Sequence, residues 1–231
     1  RPQPGPQENF LKSPADIVIY GGGAGGGKTF GLLLEAARHV GNPRFGSVIF
    51  RRESVQITNE GGLWDNAMAL YPLIGARPIK APKLGFVFPS GARVTFSHLN
   101  QESDVLGYQG AQIPLIAFDE LTHFGRNQFF YLLSRNRSTC GVRPYIRATC
   151  NPDADSWVAD FISWWIDADG FPITSRAGQL RWFCRVADQI QWAGSPDELV
   201  AAHGIAPEDA KSVTFIPALV TDNPALMKAD P

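Results

Sequence analysis

Residues 22–29 read GGAGGGKT, which puts Gly22, Gly27, Lys28 and Thr29 at the fixed positions of G-x-x-x-x-G-K-[ST]. Backbone N–H groups can wrap a phosphate only where no Cβ blocks the approach and positive φ is cheap. Gly22, Gly23, Ala24, Gly25, Gly26 and Gly27 meet that need with one exception, the alanine. Lys28 would then reach the β- and γ-phosphates of a nucleoside triphosphate, and Thr29 would offer its hydroxyl to Mg²⁺. A flexible linker is the bland alternative, but a linker is not followed at once by Lys-Thr and an apolar helix.

A second group lies in PLIAFDE, residues 114–120, where an apolar run ends in two carboxylates. Ligands of open α/β sheets bind at the C-terminal ends of strands, so Asp119 would hold Mg²⁺ and Glu120 would polarise the attacking water. Many strands end in acids that only cap a helix; an upstream phosphate loop gives this pair its meaning. A kinase receives its acceptor hydroxyl from substrate, whereas a hydrolase must activate water, so the tandem acids favour an ATPase. A third group is ATCNP, 148–152, where an amide at a strand tip could sense the γ-phosphate or the water. Asn-Pro also starts ordinary turns, and the spacing leaves both readings open.

The elements that must position these groups alternate. DIVIY (16–20), GSVIF (46–50), IPLIAF (113–118) and YIRATC (145–150) read as buried strands. Helices are expected over 28–40 and 126–137, and a hairpin over 85–99. That alternation implies an α/β fold with a mainly parallel sheet covered by helices on both faces. After residue 152 the pattern changes to a helical stretch (154–168), a hairpin (180–192), a capped helix near 195–204 and a strand near 212–217. The expected division is therefore a core over 1–152 and a small lid-like subdomain over 153–231.

Charge divides at the same place. Residues 1–152 carry 16 basic and 10 acidic side chains, and 153–231 carry 5 and 12. Within 121–152 there are five arginines (Arg126, Arg135, Arg137, Arg143, Arg147) and no acid, a field suited to phosphates or else a solvated basic face. No run of eighteen apolar residues and no apolar signal core occur, so neither a membrane partner nor export is expected. Three scattered cysteines argue for reduced thiols rather than a disulfide framework.

Taken with PQENFLKSPADIVIYGGGAGGGKT, VIFRRE, LGYQGAQIPLIAFDEL, YLLSRNRS and KSVTFIPALVTDNP, these motifs resemble the N-terminal ATPase domain of the large terminase subunit of tailed bacteriophages. The resemblance implies a P-loop NTPase core of the additional-strand, RecA-like kind, with the catalytic glutamate on its own strand and a lid-like subdomain. It implies ATP and Mg²⁺ as cofactors and hydrolysis that drives double-stranded DNA into a procapsid. Its implied partners are DNA, the portal protein, the small terminase subunit and sister copies in a ring, by expectation a pentamer. The location would be the host bacterial cytoplasm, docked for a time on the portal and absent from the mature virion. A C-terminal nuclease domain completes such subunits; this chain is expected to lack it and so to have ATPase activity without nuclease activity.

Carried over by residue, Gln7 resembles the glutamine that contacts adenine, with a polar residue in a loose N-terminus as the alternative. Thr149, Cys150 and Asn151 match the segment coupling hydrolysis to movement. Arg51 and Arg52 sit where related motors contact phosphate or DNA, or are surface salt-bridge partners. Two departures stand out. No arginine occupies positions 23–26, and Gln109 stands beside Gly110 where relatives have the Arg-Gly of a trans-acting arginine finger. The finger is then expected elsewhere, with Arg135 and Arg137 as candidates. A RecA-type helicase would need a second lobe, which 79 residues after Pro152 cannot form. A metabolite kinase and a binding scaffold without turnover are the competing classes.

Overall fold

The parallel strands are apolar on both sides because both faces of the sheet are buried. In the computed structural model, residues 1–23, 27–151, 153–218 and 222 are described. The strands are β1 (Ile17–Gly22), β2 (Gly46–Arg51), β3 (Arg77–Ile79), β4 (Gly85–Val87), β5 (Arg93–His98), β6 (Leu115–Phe118), β7 (Tyr145–Cys150), β8 (Arg181–Val186), β9 (Gln189–Ala193) and β10 (Lys211–Ala218). The helices are α1 (Pro6–Lys12), α2 (Lys28–Ala36), α3 (Ser54–Thr58), α4 (Leu63–Leu70), α5 (Arg126–Leu133), α6 (Trp157–Phe161) and α7 (Pro196–His203). No helix among the described residues is long and apolar enough to cross a membrane.

One sheet has the order β3-β4-β5-β2-β6-β7-β1-β10-β8-β9. The six strands from β5 to β10 in that order are parallel, and antiparallel strands extend both edges. Period-two alternation divides each central strand between two cores. Val18, Tyr20, Leu115, Ala117 and Ile216 pack on one face with Leu32 and Leu33 of α2, while Ile17, Ile19, Ile116, Phe118 and Phe215 pack on the other with Phe129 of α5 and Phe161 of α6.

The parallel core agrees with the sequence reading; the chain division does not coincide with a break in the sheet. β10 pairs with β1 over six registers, from Ile17–Val213 to Gly22–Ala218. The buried Asp16 carboxylate fastens this edge, accepting hydrogen bonds from both the amide (2.9 Å) and the hydroxyl (2.8 Å) of Ser212. A small separate cluster gathers Cys184 of β8, Leu199 of α7 and Ala210 just before β10. Three helices are also shorter than their periodicity implied, and α2 ends at Ala36 rather than at residue 40. α5 stops at Leu133 because Asn136 turns inward and donates to Ile113 O, Pro114 O and Tyr145 O at 2.9–3.2 Å. α6 is a five-residue helix capped by Ser156, not a run to 168. The three cysteines are free and buried.

Candidate functional site

The C-terminal ends of β1, β6 and β7 bring the expected groups together. β7 lies between β1, which leads into the glycine loop, and β6, which ends at Asp119. It is the additional strand, and this corrects one expectation. Glu120 does not lie on a strand of its own but follows Asp119 directly at the tip of β6; the inserted strand carries Thr149 and Cys150 and leads to Asn151.

Gly27 takes a left-handed φ of 69° and starts α2, so Lys28 and Thr29 form its first turn. Ala24, Gly25 and Gly26 lie outside the described residues. Lys28 is buried and its Nζ donates to Gly22 O (2.7 Å), Gly23 O (2.8 Å) and Asn151 Oδ1 (2.8 Å). Burial lowers its pKa, against the opposing pull of Glu120, Cys150 and Asp119. Phosphate could take the place of these neutral oxygens. Burial and the nearby Glu120 carboxylate push the Cys150 thiol up to about 12, which keeps it protonated and unreactive.

Asp119 is 1% exposed, and both its oxygens are engaged. Arg51, the last residue of β2, donates from Nε to Oδ2 at 2.8 Å, and Thr149 donates from Oγ1 to Oδ1 at 2.7 Å. The same Thr149 oxygen accepts the Glu120 amide at 3.1 Å. One buried hydroxyl thus holds both acids in register. Glu120 needs this hold, since its backbone is left-handed (φ 63°, ψ 66°), a cost of about 1 kcal/mol or more for a residue with a Cβ. Its Oε2 is buried without a hydrogen-bond partner among the described residues. Replacing Thr149 with the isosteric valine should therefore destabilise the chain by about 2–4 kcal/mol, leaving a carboxylate oxygen and an amide unpaired. In urea this would appear as a lower midpoint at an unchanged slope; an unchanged midpoint would show the bridge to be idle.

The other expected residues are distributed differently. Gln7 is buried in α1, not loose. Its Nε2 donates to Gly27 O (2.8 Å) and its Oε1 accepts from Gln3 N (2.7 Å), so both ends of its amide have partners within the chain. Arg52 donates to Gln128 Oε1 at 3.1 Å. Gln128 is fully buried and also bonds Gly125 N and Gln101 O; nothing in the spacing marked it. Arg135 and Arg137 follow α5. The Ile113 amide donates to Arg135 O, which places this turn at the N-terminal ends of β6 and β7, across the sheet from Asp119. They do not join Lys28, Asp119 and Glu120 within this chain. Of the other arginines in that segment, Arg147 is buried and donates to Ser13 O and Ala15 O, and Arg143 pairs with Asp16.

A helix-led glycine loop beside a paired Asp-Glu, with one inserted strand between them, is a P-loop arrangement. The family model described as terminase large subunit, T4likevirus-type, N-terminal, matches residues 19–231. The chain belongs to the terminase large subunit family. No curated protein sequence matches it significantly. The large terminase of a thermophilic bacteriophage is similar in fold, with a TM-score of 0.58 at 16% identity over 96% of this chain and 47% of that one. The same terminase in complex with ADP gives 0.58 at 15% identity over 99% of this chain and 48% of that one. The N-terminal domain of the DNA packaging ATPase from bacteriophage phi29 gives 0.51 at 13% identity, over 80% of this chain and 93% of that one. This member of the family spans about half the length of the thermophilic phage's terminase.

Proposed function

We propose that this terminase chain binds and hydrolyses ATP and that the hydrolysis drives double-stranded DNA into a procapsid. The observation that carries the reading is the Thr149 bridge, which holds Asp119 and Glu120 together beside Lys28. Lys28 would exchange the carbonyls of Gly22 and Gly23 for phosphate oxygens, and the loop amides would cradle the phosphates. Glu120, whose buried Oε2 has no hydrogen-bond partner among the described residues, would take the proton of the attacking water.

The donor chemistry fits magnesium. Thr29 and Asp119 offer hard oxygens, and among the described residues no group of three or more His, Cys, Asp or Glu could hold a metal by itself. Such an ion is held by one or two protein groups together with the nucleotide's phosphates, whose charge it neutralises. Asn151 contacts Lys28 directly, so loss of the γ-phosphate would be felt at the end of β7, as coupling to movement requires.

The wider assembly is part of the proposal: a ring of copies on the portal, with the small terminase subunit as a further partner, in the host cytoplasm. Arg135 or Arg137 could then serve a neighbouring copy's site. The thermophilic phage's terminase, in its complex with ADP, supports nucleotide binding here by analogy of fold. The test is phosphate release from ATP by the chain, alone and with portal and DNA, with Lys28→Ala as the binding control. Lys28→Ala should weaken ATP binding at least about tenfold. Release that is absent with portal and DNA present would overturn the reading, as would release untouched by Lys28→Ala.

A further inference from the structure

The two cations of the site are held in opposite ways. Lys28 rests on neutral oxygens, from which a phosphate can draw it. Arg51 rests on a carboxylate that is itself 1% exposed, and a carboxylate buried there without a counter-charge would cost several kcal/mol. Phosphate alone would attract Arg51 only by leaving Asp119 bare. A phosphate that arrives with its own cation removes that obstacle.

The geometry points to Arg51 as the resident counter-ion of Asp119, exchanged for the magnesium of an incoming magnesium–nucleotide. The inference rests on the nucleotide site proposed above. Three observations carry it. Arg51 and Asp119 each stand one residue past the paired Phe50 and Phe118 on adjacent strands, so the ion pair is fixed by sheet register and not by a mobile loop. Thr149 takes one lone pair of Oδ1 and Arg51 one of Oδ2, so a guanidinium and a metal would compete for the charge of the same buried carboxylate. The Arg51 side chain is 19% exposed, which leaves it a way out, whereas Asp119 has none. Until exchange occurs, Arg51 satisfies Asp119 and keeps β2 and β6 joined at the site.

Once displaced, the guanidinium carries its charge to the tip of β2, next to Arg52 and its bond to the buried Gln128. Arrival of the metal is thereby sensed outside the phosphate loop. Arg51 is a positioning residue in this role, and a merely structural arginine would behave differently.

The decisive measurement is binding of a fluorescent ATP analogue, N-methylanthraniloyl-ATP, titrated with Mg²⁺ at fixed nucleotide. In Arg51→Ala the competing cation is gone, so half-saturation should move to lower Mg²⁺ by about fivefold or more. The nucleotide-free protein should melt earlier than wild type, and magnesium–nucleotide should raise its melting temperature by more than it raises that of wild type. Should Arg51→Ala fail to fold, Arg51→Gln offers Oδ2 a hydrogen bond without the charge and gives the same readout. Arg51→Lys keeps a cation and should stay within about twofold of wild type. Normal nucleotide binding with unchanged Mg²⁺ dependence in Arg51→Ala or Arg51→Gln overturns the exchange alone. Absence of nucleotide binding by the wild type overturns the site and the exchange with it.

Discussion

Glu120→Gln should bind ATP as tightly as the wild type and hydrolyse it about a hundredfold more slowly or worse. The substitution leaves most of the site alone. Glutamine has nearly the shape of glutamate, tolerates the left-handed backbone at φ 63° no worse, and keeps the amide that donates to Thr149. Lys28 and the loop that would bind phosphate are untouched. What is lost is the carboxylate that would accept a proton from water, a contribution of about 10²- to 10⁴-fold in general-base catalysis. No hydrogen bond to the buried Oε2 is lost, because it has none among the described residues, so the fold should not suffer much. Phosphate release and nucleotide binding are measured on the same preparations, in the assembled state with portal and DNA. Equal rates of release would mean that Glu120 is not the base, and that the site binds nucleotide for another purpose.

Much of this site was legible in the sequence because its parts are local. A strand, a glycine loop and an apolar helix follow one another within residues 17–36, and the acids follow β6 without a gap. What remained hidden depends on which strands become neighbours. Arg51 and Asp119 are 68 residues apart, and only the pairing of β2 with β6 brings them to 2.8 Å. Without that register, a salt-bridge partner and a DNA contact look alike. The place of β10 was hidden for the same reason. Its apolar run reads as a strand within the acidic tail, and only its pairing with β1 shows that its residues complete both cores. Gln7 shows a different gap. Its motif suggested a base contact, and burial in α1 gives its amide partners that no pattern in PQENF could reveal.

The glycines themselves divide by cause, and Gly22→Ala should expose the division. A glycine-rich loop reads as if every glycine served the phosphate. Gly22, however, is still in β1, buried, at φ 149°, and paired with Ala218. A Cβ there would collide with the Ala218 carbonyl oxygen, a backbone atom fixed by the β1–β10 pairing. The chain can relieve the clash only by parting these strands at their C-terminal ends. Backbone strain of about 1–2 kcal/mol and overpacking of about 1–3 kcal/mol should add to a destabilisation of roughly 2–5 kcal/mol. For a chain of this size that lowers the melting temperature by roughly 10 °C. Gly23 is the internal control. Nothing lies within 4 Å of a Cβ built there, so Gly23→Ala should melt within about 2 °C of wild type. Two alanines one residue apart in the same motif would then separate packing from phosphate binding. If Gly22→Ala melts with the wild type, β10 does not hold the loop's first residue, and the close approach of the two strands is not what requires a glycine there.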